Sequence, residues 1–111
     1  MILLAFKGHA DVIRLLAKRG ANLNTAKTTT GATPLFMAAQ EGHAAAVEAL
    51  ALCGADLDMP RKLTGSTPLY VACWGGMLDV VQLLVAFGAD RRHVNYFGLR
   101  PDEAVRDAVC F

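Results

Sequence analysis

Apolar residues return at helical spacing in short stretches of this 111-residue chain, and polar or small residues fill the gaps between them. Val12, Ile13, Leu15 and Leu16 form one such set, and Val80, Val81, Leu83 and Leu84 form another. Each gives an α-helix one apolar face. These helices close on Gly20 and Gly88, residues suited to a left-handed stop. Other helices are announced by Thr33-Pro34 and Thr67-Pro68, where a threonine oxygen can cap the first turn and proline sits where a missing N–H costs nothing. They run about two turns to Gly42 and Gly76, and a second helix follows at once. Residues Asn22 to Thr30 are polar or small and read as an extended turn. The predicted unit is therefore helix, turn, helix, long hairpin-like loop.

The unit repeats. Gly20-Ala21-Asn22, Gly54-Ala55-Asp56 and Gly88-Ala89-Asp90 stand 34 residues apart, and so do Thr33-Pro34-Leu35 and Thr67-Pro68-Leu69. Gly8-His9 returns as Gly42-His43 and then as Gly76, Ala38-Ala39 as Ala72-Cys73, and Gly31 as Gly65. Towards the C-terminus the step shortens to 33, with Gly98 standing for Gly65 and Pro101 for Pro68. The missing residue falls between Gly88 and Gly98, in the connecting segment, where a change of length is best tolerated. A unit this small cannot bury its own apolar face and must stack on its neighbours, which predicts an extended array without a single central pocket.

The run from Thr33 to Ala39, followed by Gly42-His43 and Gly54-Ala55-Asp56, resembles the ankyrin repeat, with its T-P-L-H-x-A signature in a unit of about 33 residues. The likeness covers nearly the whole chain. It implies an all-α solenoid of stacked helix-turn-helix units with projecting β-turn hairpin loops, and a concave face that binds other proteins. On this reading residues 1–111 are one domain: a truncated first repeat (1–24), a second (25–58), a third (59–91) and a partial C-terminal capping repeat (92–111). The chain departs from the pattern where Phe36 and Tyr70 replace the usual histidine and where Met77 follows Gly76. Those changes remove side chains expected to hydrogen-bond between loops.

Composition narrows function without assigning it. A formal net charge of +1 gives no bulk electrostatic reason to expect nucleic acid or a membrane surface. No apolar run is long enough to insert across a bilayer. Cys53, Cys73 and Cys110 lack paired or metal-type spacing, and an odd count argues against a disulfide framework, so an intracellular setting, cytoplasmic or nuclear, is expected. Met1 aligns with Leu35, inside a first helix, which predicts further repeats or another domain upstream. A signal peptide and a mitochondrial presequence carrying Lys7, Arg14, Lys18 and Arg19 are the rival readings of this end. At the other end Pro101 predicts a last helix with Asp102 and Glu103 in its first turn and Ala104, Val105, Ala108 and Val109 on its packed face.

No catalytic set assembles: His9 and His43 occupy repeat positions, and Cys73 replaces a small framework alanine. Neither a metal-ligand cluster nor a cofactor motif is present in the sequence. Function is therefore expected at surface positions that the framework does not need. The family pattern implies that the residues after the Ala-Ala pair face the concave groove, here Phe6-Lys7, Gln40-Glu41 and Trp74-Gly75. Loop residues continue that surface, namely Lys27 and Thr29, Arg61 and Leu63, then Asn95, Tyr96 and Phe97. Trp74, Tyr96 and Phe97 are the expected anchors. The alternative for Trp74 and Phe97 is burial on neighbouring repeats. Basic loop residues, among them Lys62, Arg91, Arg92 and His93, would suit a protein partner with an acidic segment.

Overall fold

The computed structural model describes residues 1–96 and 98–101; Phe97 and the last helix expected from Asp102 onward lie outside the described residues. Among the described residues there are six helices: α1 (Ile2–Lys7), α2 (Ala10–Lys18), α3 (Pro34–Gln40), α4 (Ala44–Leu52), α5 (Pro68–Trp74) and α6 (Leu78–Ala86). Each odd helix packs against the next even one as an antiparallel-type pair, and the pairs stack in register. One row runs α1, α3, α5 and the other α2, α4, α6.

The expected caps form. Thr33 Oγ1 accepts from Phe36 N at 3.2 Å and Thr67 Oγ1 from Tyr70 N at 3.3 Å, with Pro34 and Pro68 at the first helical position. Gly42 takes a left-handed φ of 73°, which stops α3 and turns the chain into α4.

The core is built in columns with the same 34-residue step. Ala5, Ala39 and Cys73 make one buried column, and Ile13, Val47 and Val81 make another. Small residues in the first column let α1, α3 and α5 approach closely, while branched ones in the second fill the space between rows. Cys73 thus packs as a small apolar residue. Helix α4 lies between α2 and α6 and is apolar on nearly every face, whereas α2 buries only Ile13 completely and exposes Asp11, Arg14 and Lys18.

Side chains also tie the pairs together. His43 donates from Nε2 to the Phe6 carbonyl at 2.8 Å. At the equivalent place one repeat on, Met77 lays its thioether over Gly42, as the His43 ring lies over Gly8. The substitution therefore exchanges a hydrogen bond for an apolar contact.

The long loops form tight fingers. Lys27 N donates to Ala32 O and Arg61 N to Ser66 O, both at 2.8 Å, whereas in the third finger Asn95 N donates to Leu99 O at 2.9 Å. The third closure spans one residue fewer, so the shortened step lies in the fingertip between Asn95 and Leu99. Each finger rests on the one before it: Lys62 lies over Gly31 and the Tyr96 ring over Gly65, with Tyr96 N donating to Thr64 O at 2.9 Å.

At the finger bases runs a ladder of side-chain acceptors. Asn22 Oδ1 accepts from Asn24 N, Asn24 Oδ1 from Asp56 N, Asp56 Oδ1 from Asp58 N, Asp58 Oδ1 from Asp90 N, and Asp90 Oδ1 from Arg92 N. Within a unit the bond closes a local turn. Between units it fixes how one finger sits on the next. Arg92 occupies the place of Asn24 and Asp58 but has no acceptor, so the ladder stops there.

Candidate interaction cleft

Side chains from the row of first helices and from the fingers together line a cleft of about 200 Å³. From α3 and α5 come Phe36, Tyr70, Val71 and Trp74, and from the fingers Arg61, Thr64, Ser66 and Asn95. Three aromatic rings and one guanidinium thus converge on a single opening. Two roomier hollows, of about 290 and about 400 Å³, lie at the turns between helices. Their described linings hold no Phe, Tyr or Trp, which leaves the aromatic cleft as the better candidate.

Arg61 is expected from sequence to be an exposed finger residue, but it is half-buried. Its guanidinium carbon lies 5.6 Å from the centroid of the Phe36 ring, within range of a cation–π contact. Its Nε is the one buried side-chain nitrogen or oxygen among the described residues with no hydrogen-bond partner.

Asn95 also corrects the sequence expectation. It is only 6% exposed, its Nδ2 donates to Ser66 Oγ at 3.3 Å, and its Oδ1 accepts from Leu99 N at 3.0 Å. The shortened third finger draws this side chain inward to hold the turn. His93, read as loop charge, is partly buried and bonds through Nε2 to the Gly65 carbonyl at 2.9 Å.

The other surface candidates are exposed. Trp74 is 49% accessible at the end of α5, so it is not buried core, and Tyr96 is 68% accessible on the third finger. Phe6 and Lys7 end α1, and Gln40 and Glu41 end α3, all exposed. Lys27, Thr29 and Leu63 project from the first two fingers. Of the surface residues singled out in the sequence, the cleft brings together Arg61, Trp74 and Asn95, and it adds Phe36 and Tyr70. Those two were legible as departures from the family's histidine. What could have marked them as site residues is the 25-residue offset that sets Arg61 of the following finger over Phe36.

Among the described residues no three His, Cys, Asp or Glu side chains gather as a metal site, and no helix is long and apolar enough to cross a membrane. The family model for ankyrin repeats, in three copies, matches residues 1–95. A comparison with curated proteins gives no match.

Proposed function

Because the chain belongs to the ankyrin repeat family, whose members generally bind other proteins and are generally not catalysts, we propose that it is a non-catalytic interaction module. Its partner is a protein that lies along the first-helix row and the fingers. The observation that carries this reading is Trp74, half exposed at the mouth of a cleft whose walls come from both elements. A large aromatic in such a place gains much when a partner desolvates it and loses little freedom on binding. Phe6, Lys7, Gln40 and Glu41 extend the surface along the helix ends; Lys27, Thr29, Leu63 and Tyr96 extend it along the fingers. A cytoplasmic or nuclear setting is part of the proposal and rests on the odd cysteine count.

Capture of a partner by the wild-type protein, compared with Trp74→Ala and Tyr96→Ala, tests the reading. Weaker capture with an unchanged circular dichroism spectrum is expected. Equal capture by both folded variants would refute it.

A spacer role within a larger repeat array is the second reading, and a separate observation favours it. Val12 and Leu15 are exposed on α2, although Ala46 and Ala49, one step later on α4, which packs against α2, are fully buried. The open face of α1 and α2 has the apolar character needed to receive another repeat.

A further inference from the structure

We propose that the Arg61 cleft binds an Asp or Glu side chain from a linear segment of the partner protein, with an apolar neighbour of that residue packing on Trp74. The inference rests on the interaction-module reading and gives the partner its chemistry. Arg61 is held in place by stacking on Phe36, with its Nε covered and without an acceptor. Among the described residues no carboxylate pairs with Arg61: the ion pair found there is Arg14 with Asp11, at 3.5 Å on α2, and no described acid lines the cleft. Arg61 itself lines the cleft.

A planar cation fixed in a partly apolar wall is suited to a carboxylate, which can accept from two guanidinium N–H groups at once. The surroundings strengthen the pairing because aromatic walls screen it less than water does. Size selects the form of the ligand. At about 200 Å³ the cleft falls below the roughly 300–1,000 Å³ of small-molecule sites and suits one anchoring side chain of a longer segment. The equivalent positions in the neighbouring fingers are Lys27, which is exposed, and Asn95, which is buried in its turn, so among these three finger positions only Arg61 supplies a guanidinium. One guanidinium in the cleft lining, on a chain with a net charge of +1, does not make a track for a phosphate backbone.

The test uses a displayed library of random linear peptides selected on the whole chain, followed by fluorescence titration of an enriched peptide and of its Glu→Gln or Asp→Asn form. Trp74 is the chain's single tryptophan, so its emission reports on the cleft directly. Enriched peptides are expected to carry Asp or Glu beside an apolar residue. The amide form is expected to bind about tenfold to a hundredfold more weakly, the range for a charge-assisted hydrogen bond. Arg61→Met keeps a stem that can cover Phe36 and should erase the difference between acid and amide peptides; Arg61→Gln serves if Arg61→Met does not fold. Enrichment without acidic preference, or an acid-to-amide loss that is the same in wild type and variant, would overturn the proposal. Trp74→Ala, titrated through the anisotropy of a dye-labelled form of the same peptide because this variant lacks tryptophan emission, then separates the two readings. If it still abolishes binding, the interaction face stands and only the carboxylate pairing falls. If it is also silent, or if no peptide is enriched, both fall.

Discussion

Stacking of the fingers makes a sharp prediction about two glycines. Gly31 and Gly54 both have left-handed backbones, with φ of 73° and 92°, so alanine at either incurs strain of about 1–2 kcal/mol. Their surroundings differ. A Cβ on Gly54 would meet nothing within 4 Å, whereas one on Gly31 would press on Lys62 Cβ and lie 2.6 Å from its backbone N and 3.0 Å from its Cα. A side chain can swing aside, but a backbone cannot do so without lifting the second finger off the first. Overpacking of this kind adds about 1–3 kcal/mol. Gly54→Ala is therefore expected to destabilise by about 1–2 kcal/mol and Gly31→Ala by about 2–5 kcal/mol. The gain from a stiffer unfolded chain is common to both and leaves the difference intact. Urea unfolding followed by circular dichroism and Trp74 emission measures both values. Losses equal to within about 0.5 kcal/mol would show that the fingers do not rest on each other as described.

Three further outcomes are expected. Thr67→Ala should destabilise by about 1 kcal/mol through the lost cap on Tyr70 N, measured by thermal unfolding. Leu84→Ala, at a fully buried site, should cost about 2–5 kcal/mol, while Leu52→Ala, at 63% exposure, should stay within about 0.5 kcal/mol in the same denaturation assay. Hydrogen exchange should be faster in residues 1–19 than in residues 66–87, because α1 and α2 bury only Ala5 and Ile13 while α5 and α6 bury Leu69, Ala72, Cys73, Val80, Val81 and Leu84. Slower exchange in the first segment would contradict this.

Much of the fold was legible because its signals are local. A Thr-Pro pair specifies a cap within one turn, and glycines at a fixed step specify the stops, so α3, α5 and the 34-residue register follow from short stretches of sequence. The cleft was only partly legible because it is not local. Arg61 and Phe36 belong to different units, and nothing within either unit indicates that the guanidinium folds back over the ring instead of pointing into solvent. Asn95 shows the same limit. The shortened step placed the deletion somewhere between Gly88 and Gly98, yet only the backbone pairing of Asn95 with Leu99 assigns it to the fingertip and explains why the amide turns inward. Met77 was visible as a lost histidine, but the apolar contact with Gly42 that replaces the hydrogen bond needs the neighbouring pair in place.

The ladder at the finger bases has a consequence for how such a chain can grow. Asn24 and Asp58 reach forward to the main-chain N–H of Asp56 and Asp90, a group that every residue except proline supplies. The joint between units therefore does not depend on which side chain the next unit carries at that point. Genetic duplication of a 34-residue block would reproduce both halves of the joint at once, whereas a junction built from matched side chains would need coordinated mutations on each side. Length can be gained in whole steps, while surface residues such as Arg61 and Trp74 diverge independently of the bond that holds the units in line.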